Sequence, residues 1–363
     1  MKNEIIQFSI VAGLVLAMLG GATFVNEPNT GLLVSIAMLI GGIYLLIKGS
    51  DVLVHGAVRL ARFIGVSPFF IGVTVVAFGT SAPELAASIG ATLKGQGGMA
   101  IGNVLGSNIA NICLILGATA LVRPIPVERG IARIDTPIMI GITLLAVIPM
   151  LDQLFTGNPG SVSRIDGAIL VTALIAYVIY NARAGRGDPE QIEAEVDAEL
   201  NLDADADRKR SKLRFMVIDT LLVIGGIAML VFGANLLVNG AVDIAERLNV
   251  PEVIIGLSVI AIGTSVPELA FSLRAALKGH PEIALGNVVG SNVFNLLSVV
   301  GVAALVSPLA VPTEAVQREI WAMIAATVLI LPLMVTRDRI SRIEGGFMLA
   351  VYIGYLIVVF VPQ

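Results

Sequence analysis

The chain has 363 residues, of which 56% are hydrophobic and 14% are charged, and its formal net charge is −4. A soluble protein of this length could not bury so much apolar surface, and no basic cluster indicates a nucleic-acid partner. The one cysteine, Cys113, excludes a disulfide bond within the chain. Several apolar runs are long enough to cross a bilayer as helices, so the composition predicts a multi-pass helical membrane protein.

Eleven apolar segments are predicted to cross the membrane. The first, residues 8–25, is interpreted as an extra transmembrane helix in a domain 1–30. A cleaved signal peptide is the alternative, but Glu4 stands close to Lys2 and the run ends in a poor cleavage site. Five spans follow within residues 31–182, at 32–60, 69–91, 99–121, 135–151 and 165–182.

A polar stretch separates these spans from the remaining five. Residues 183–214 hold nine acidic and seven basic residues, which predicts a charged, solvated linker. The second group of spans lies within residues 215–363, at 215–245, 252–277, 283–305, 319–335 and 347–361.

The two halves of the chain are copies of one another. With a shift of 184 residues, 79–121 aligns with 263–305 without a gap, and 23 of 43 positions are identical. Each copy holds five spans, an odd number, so the second must enter the membrane the opposite way up. The fold prediction is therefore an all-α membrane protein in which two inverted five-helix repeats form a ten-helix core, as in secondary transporters, plus one extra N-terminal helix.

The distribution of Lys and Arg predicts the orientation of the chain. With the N-terminus in the cytoplasm, 18 of these residues fall on the cytoplasmic side and four on the outer side, with Lys48 inside a span. This imbalance agrees with the positive-inside tendency. We expect a multi-pass protein of the inner (plasma) membrane, with a cytoplasmic linker and the C-terminus outside.

The most informative motif is Gly-Thr-Ser-Ala-Pro-Glu at 79–84, which recurs as Gly-Thr-Ser-Val-Pro-Glu at 263–268. Each copy places an acidic residue, Glu84 or Glu268, inside an apolar span, at a cost of about 2.5–3.5 kcal/mol on insertion scales. The proline of each copy deprives the glycine carbonyl four residues earlier of its helical partner and kinks the helix. Two matched carboxylates in the membrane indicate a functional site; structural hydrogen bonding is the alternative.

Further oxygen-bearing side chains share helix faces with these carboxylates. Helical spacing aligns the hydroxyls of each motif with its glutamate, and the following span adds an amide–hydroxyl–amide stripe with a spacing of four residues. The first copy comprises Thr80, Ser81, Ser88, Asn103, Ser107 and Asn111, and the second comprises Thr264, Ser265, Ser272, Asn287, Ser291 and Asn295. Together with the two glutamates they form a set of hard oxygen donors with a formal charge of −2, which suits Ca²⁺ or two Na⁺ and argues against softer metals.

Two other features of these spans receive structural interpretations. Small residues on the span after each motif predict close helix packing: Gly102, Gly106 and Ala110, with Gly286 and Gly290 in the second copy. Lys48 and Asp51 are interpreted as a neutralising pair, and their counterparts are Phe232 and Asn235. We therefore leave that pair out of the symmetric site.

The doubled Gly-Thr-Ser-x-Pro-Glu segments, each followed by Gly-Asn-Val-x-Gly-Ser-Asn, resemble the α-repeats of the calcium/cation antiporter superfamily. Within it, residues 31–361 look most like prokaryotic sodium/calcium exchangers. The resemblance implies exchange of Na⁺ for Ca²⁺ by alternating access, with the first spans of both repeats sliding over a fixed core. It implies no enzymatic activity and no cofactor, with Ca²⁺ and Na⁺ as transported ions.

The resemblance also implies roles for individual residues. Glu84 and Glu268 would be shared ligands, joined at the Ca²⁺ site by the carbonyls of Thr80 and Thr264 and bordered by Asn111 and Asn295. One outlying Na⁺ site would contain Ser81, Ser107 and the carbonyl of Ala77. The other would contain Ser265, Ser291 and the carbonyl of Ala261.

The chain departs from its relatives at Asn295, where many carry Asp, an acid associated with K⁺ use in the potassium-dependent branch. Asn at both central positions favours a K⁺-independent exchanger. The alternative within the superfamily is a Ca²⁺/H⁺ antiporter that uses the same glutamates. An intramembrane carboxylate protease and a passive channel fit the hydroxyl-rich, repeated site less well.

Overall fold

The computed structural model describes residues 32–127, 129–152, 160–184, 205–248, 263–313, 318–335 and 338–360. The predicted extra helix at 8–25 lies outside these residues, as does most of the predicted linker. Two long helices, one from each half, pack against each other. They are α1 (Leu32–Ile64) in the first half and α9 (Asp205–Arg247) in the second, and we call them the long-helix pair.

The first half continues with a broken span and three further spans. One arm of the broken span contains α2 (Pro68–Ile71), a π-helical turn (Gly72–Val76) and α3 (Ala77–Thr80), and the other arm is α4 (Ala82–Leu93). The remaining elements are α5 (Gly97–Ile109), a π-helical turn (Ala110–Leu116), α6 (Gly117–Val122), β1 (Ile125–Pro126), a π-helical turn (Ile131–Asp135), α7 (Thr136–Val147), a 3₁₀ turn (Ile148–Leu151), β2 (Ser161–Val162) and α8 (Arg164–Ala184).

The second half repeats this order. After α9 and the gap at 249–262, the described elements are α10 (Val266–Leu277), α11 (Pro281–Phe294), a π-helical turn (Asn295–Val300), α12 (Gly301–Val306), β3 (Leu309–Ala310), α13 (Ile320–Val335), β4 (Arg339–Ile340) and α14 (Arg342–Phe360). Helix α9 begins at Asp205 and not at the predicted Phe215, so the end of the charged stretch is helical.

Eight of the described helical segments are long and apolar enough to cross a membrane, and α13 is a shorter apolar helix. The segments that contain α5 and α11 are mostly buried inside the protein, whereas α8 and α14 expose most of their apolar surface. Exposed apolar helices are the expected outer layer of a protein surrounded by lipid. The predicted all-helical membrane architecture is confirmed, and the inversion of one half relative to the other stays a prediction.

Glycines allow the long-helix pair to pack backbone against backbone in antiparallel fashion. A Cβ atom at Gly42 would lie 2.7 Å from the Gly233 carbonyl oxygen, and one at Gly226 would lie 2.7 Å from Leu53 Cβ. Larger residues at these positions would force the helices apart, so glycine fixes the close approach.

The same principle brings the first broken span against the second half. A Cβ atom at Gly286 would lie 2.5 Å from the Phe69 carbonyl oxygen, and one at Gly290 would lie 2.4 Å from the Val73 carbonyl oxygen. The packing role predicted for Gly286 and Gly290 is therefore confirmed. The corresponding segment of the second half, 253–262, lies outside the described residues, and the packing role of Gly102 and Gly106 stays a prediction.

Short strands join the two halves at the ends of the helices. Strand β1 pairs with β4 and β2 pairs with β3, both antiparallel. Equivalent arginines reinforce the two ends, because Arg164 donates to the Val306 carbonyl and Arg342 donates to the Val122 carbonyl, each at 3.3 Å. The helix ends of each half are therefore held by strand pairing and hydrogen bonds to the other half.

The predicted pairing of Lys48 with Asp51 is wrong. Lys48 is exposed, and the Asp51 carboxylate instead accepts from Arg274 Nε at 2.9 Å and lies 3.1 Å from Lys278 Nζ. Packing of α10 against α1 brings these two cations to Asp51, which i,i+3 spacing along one helix could not indicate. Asp51 thus ties the long-helix pair to the core.

Candidate cation site

Both motif glutamates are buried where a span is interrupted. Ser81 separates α3 from α4 with φ −82° and ψ 4°, and Ser265 precedes α10 with φ −89° and ψ 5°. The proline that follows each serine lies in the first turn of the new helix, where its missing N–H costs least. Glu84 and Glu268 are 0% and 1% exposed, and they are close enough to interact electrostatically.

Each glutamate is held by a serine from the other repeat. Ser81 Oγ donates to Glu268 Oε1 at 3.3 Å, and Ser265 Oγ donates to Glu84 Oε1 at 3.4 Å. These reciprocal bonds show that the two Gly-Thr-Ser-x-Pro-Glu motifs meet across the repeat boundary. The carboxylates converge in the protein interior and do not face hydrocarbon.

A second reciprocal set of polar contacts lies beside the carboxylates. Thr80 Oγ1 donates to Asn287 Oδ1 at 3.1 Å, and Thr264 Oγ1 donates to Asn103 Oδ1 at 3.4 Å. Each of these amides donates in turn to a serine of its own repeat: Asn287 to Ser272 Oγ at 3.1 Å and Asn103 to Ser88 Oγ at 3.0 Å. The predicted hydroxyl and amide stripes therefore interlock, which fixes the threonines of the interrupted turns.

Four asparagines form a third crossed arrangement, which we call the asparagine tetrad: Asn108, Asn111, Asn292 and Asn295. Asn111 Nδ2 donates to Asn292 Oδ1 at 3.2 Å, and Asn295 Nδ2 donates to Asn108 Oδ1 at 3.1 Å. Asn108 Nδ2 also donates to the Asn292 carbonyl at 3.2 Å. All four side chains are buried.

Sequence reasoning singled out Asn111 and Asn295 but missed Asn108 and Asn292. The available signal was their identity in both repeats, directly after Ser107 and Ser291. Helical spacing places Asn108 and Asn292 off the stripe of site residues. Only the packing of the two halves against each other shows that each of them contacts the central amide of the other repeat.

Several oxygens in this region have no hydrogen-bond partner among the described residues. A buried acceptor without a partner costs about 1–3 kcal/mol, so each one calls for an explanation. Five of them belong to predicted site residues: Glu84 Oε2, Glu268 Oε2, Asn111 Oδ1, Asn295 Oδ1 and Ser291 Oγ. Carboxylate, amide and hydroxyl oxygens are the donors that Ca²⁺ and other hard cations prefer.

The helices carrying the central amides depart from α-helical geometry at the site. Asn111 lies in the π-helical turn Ala110–Leu116, and Asn295 begins the turn Asn295–Val300. Such π-helical insertions are common at functional sites because they displace side chains from the regular helical positions.

The structure unites most of the predicted site residues but changes how they group. Ser107 was assigned to a group with Ser81, yet Ser107 Oγ lies 3.3 Å from Ser265 Oγ of the other repeat. Ser107 thus lies against the motif of the other repeat, and its assignment to a cation site stays a prediction. The Ala77 carbonyl already accepts the Ser81 backbone N–H at 3.0 Å, and Ala261 lies outside the described residues.

Comparison with known proteins agrees with this architecture. A family model described as sodium/calcium exchanger protein matches residues 34–183 and 218–361. The putative antiporter CaxA of Alkalimonas amylolytica is 38% identical over 333 residues, covering 91% of this chain and 99% of that protein. The sodium/calcium exchanger MaX1 of Methanosarcina acetivorans is 34% identical over 346 residues, covering 90% of this chain and 99% of that protein.

Solved structures of the sodium-calcium exchanger NCX_Mj resemble the whole fold. The structure soaked with 10 mM Na⁺ and zero Ca²⁺ is 30% identical in sequence and has a TM-score of 0.76. The structural alignment covers 92% of this chain and 100% of the NCX_Mj chain. The chain therefore belongs to the sodium/calcium exchanger protein family, whose members are multi-pass membrane antiporters of Ca²⁺ and another cation.

Proposed function

We propose that the chain exchanges Na⁺ for Ca²⁺ across the inner (plasma) membrane, independently of K⁺, by alternating access to one shared site. The observation that carries this proposal is a set of five buried oxygens, contributed by both repeats, that have no partner among the described residues; two of them belong to the reciprocally held glutamates. The names and sequences of MaX1 and NCX_Mj support the choice of Na⁺ and Ca²⁺.

Glu84 and Glu268 are the shared ligands in this proposal. Their Oε1 atoms are oriented by serines, while their Oε2 atoms keep free acceptor capacity for a cation. The carbonyls of Thr80 and Thr264 complete the central site, and the Asn111 and Asn295 amides border it.

The outlying Na⁺ sites are proposed across the repeats. Ser107 and Ser265 line one site, together with the Ala261 carbonyl. Ser81 and Ser291 line the other, together with the Ala77 carbonyl. Two observations support this assignment: Ser107 contacts Ser265, and Ser291 Oγ has no hydrogen-bond partner within the described part of the chain.

Charge explains why ions would exchange and not leak. Two carboxylates in a medium of low dielectric constant repel each other and lose hydration, so a site without cations resists closure. Either one Ca²⁺ or two Na⁺ compensates a charge of −2. Because Ca²⁺ and Na⁺ compete for the same site, inward Na⁺ movement can drive Ca²⁺ outward.

The test is ⁴⁵Ca²⁺ flux in proteoliposomes with one imposed gradient at a time. We expect an Na⁺ gradient to drive Ca²⁺ movement in nominally K⁺-free buffer. Glu84→Gln and Glu268→Gln preserve side-chain shape but remove the charge, and each should lower the flux by about 100-fold or more. Glu282→Gln is the matched control, because Glu282 contacts His280 at the surface and not the site.

Three outcomes would contradict the proposal. Undiminished Na⁺-driven flux in either site variant would remove the glutamates from the mechanism. Ca²⁺ movement driven by a pH gradient in the absence of Na⁺ would favour the Ca²⁺/H⁺ alternative. A requirement for K⁺ would overturn independence from that ion.

A further inference from the structure

We propose that Asn108 and Asn292 are positioning residues that hold the Asn295 and Asn111 amides with their oxygens toward the transported cation. This inference rests on the proposed function, because it assigns Asn111 and Asn295 to the border of the cation site. It concerns residues that do not themselves present a free oxygen there.

In each central amide the nitrogen has a hydrogen-bond partner, whereas the oxygen has none among the described residues. In Asn295, Nδ2 is bonded to Asn108 Oδ1, and Oδ1 is buried without a partner among the described residues. In Asn111, Nδ2 is bonded to Asn292 Oδ1, and Oδ1 is likewise buried and unpartnered. The orientation in each case is set by the acceptor that takes the N–H.

An amide rotated by about 180° would present N–H groups toward the site, because its two ends differ in chemistry but hardly in shape. Those N–H groups carry positive partial charge and would repel a cation. In a buried site both orientations fit sterically, so hydrogen bonding must decide between them. The acceptors on Asn108 and Asn292 make the oxygen-inward orientation the favoured one.

The positioning residues are themselves restrained. Asn108 Nδ2 donates to the Asn292 carbonyl at 3.2 Å and lies 3.7 Å from Met323 Sδ. Asn292 Nδ2 lies 4.0 Å from Met139 Sδ, at the position in the first repeat equivalent to Met323. Because Asn108 Nδ2 donates to the Asn292 carbonyl, the Asn108 side chain is oriented with its Oδ1 toward Asn295, from which it accepts.

The inference is tested by calorimetric titration of Ca²⁺ into purified full-length protein, with Asn108→Leu and Asn292→Leu as the variants. Leucine keeps the branched shape, although it is larger, and removes the acceptor; each change should weaken the apparent Ca²⁺ affinity about tenfold, the effect of one lost oriented ligand. Asn181→Leu is the control, since among the described residues this buried amide donates to the Tyr177 carbonyl of its own helix, α8, and to no other element. It should leave Ca²⁺ affinity unchanged.

A double-mutant cycle separates positioning from general damage to the core. A carboxylate presents oxygen in either orientation, so Asn108→Leu should cost much less Ca²⁺ affinity in an Asn295→Asp background than in the wild type. Equal cost in both backgrounds would show that Asn108 supports packing only, and the inference would be overturned.

The remaining outcomes distinguish this inference from the proposed function. Wild-type Ca²⁺ affinity in both leucine variants would overturn the inference while leaving the exchange proposal intact. Ca²⁺ binding with the expected variant effects, but without Na⁺-driven flux, would support the inference and refute the exchange. A wild-type protein that binds no Ca²⁺ would overturn both.

Discussion

The carboxylate centre around Glu84 and Glu268 and the long-helix pair α1 and α9 are both built from equivalent positions of the two repeats, but the repeats have diverged in only one of them. At the centre, equivalent residues are identical and bond reciprocally across the halves, as Ser81 with Glu268 and Ser265 with Glu84. Along the long-helix pair, equivalent positions carry different chemistry.

The ends of the long-helix pair show this divergence directly. At one end Arg59 lies 3.3 Å from the fully buried Asp219, and at the other end Ser35 donates to Asp243. The 184-residue shift maps Ser35 onto Asp219 and Arg59 onto Asp243. The ion pair between the two helices at one end is thus replaced by a hydroxyl–carboxylate bond at the other, where Asp243 also pairs with Arg247 of its own helix at 2.8 Å.

The difference teaches where symmetry is required. In the proposed cycle a cation meets the same ligands from either side of the membrane, so the two contributions to the centre must match. The ends of the long helices face different solutions, and identical chemistry there has no such purpose. Substitutions at equivalent positions should therefore have equal effects in the centre and unequal effects along the long-helix pair.

The largest effects are expected from Glu84→Asp and Glu268→Asp. Each shortens the side chain by one methylene and retracts the carboxylate from its serine and from the cation. A displacement of about 1 Å can cost about 100-fold in rate, and symmetry predicts similar losses for both variants in initial ⁴⁵Ca²⁺ flux. Near-normal flux in one variant alone would show that the centre is not functionally symmetric.

A smaller effect, on stability, should distinguish the two ends of the long-helix pair. Asp219→Asn leaves Arg59 without its buried counter-charge and should destabilise the protein by about 3 kcal/mol. Ser35→Ala, at the equivalent position, removes a neutral donor and should cost about 1 kcal/mol. Thermal unfolding in detergent measures both, and equal losses would contradict the proposed divergence.

The smallest stability effect is expected at the tie between α1 and α10. Asp51, Arg274 and Lys278 are all partly exposed, so Asp51→Asn should cost at most about 1 kcal/mol of unfolding free energy. Because the tie joins the long-helix pair to the core, the variant should nevertheless change the turnover rate. Asn235→Ala, at the equivalent position, is the control and should leave turnover unchanged; equal turnover in both variants would remove Asp51 from the transport cycle.

Much of the architecture could be predicted because membrane burial leaves strong marks in sequence. Apolar length located the spans, and the 184-residue repeat with its proline and glutamate located the interruptions at Ser81 and Ser265. Those predictions depend on local rules, such as backbone satisfaction in lipid and the missing N–H of proline. Boundaries were weaker where polar residues continue a helix, as they do before Phe215 in α9.

Contacts between distant segments could not be predicted in this way. The family resemblance grouped Ser81 with Ser107 of the same repeat, whereas in the structure Ser107 contacts Ser265 of the other repeat. Lys48 was similarly chosen for Asp51 as its nearest neighbour along the helix, although Arg274 and Lys278 come from α10. Periodicity describes one helix face, but partners across a bundle depend on how helices cross.

The amino-acid sequence by itself determined the class of the protein, its repeated organisation and the identity of its buried carboxylates, because apolar length, internal repetition and the cost of charge in lipid act locally along the chain. Only the tertiary structure decided which oxygens are held by protein partners and which remain unpartnered. That division arises where the two repeats cross, and there Asn108 and Asn292 take the N–H groups of the central amides.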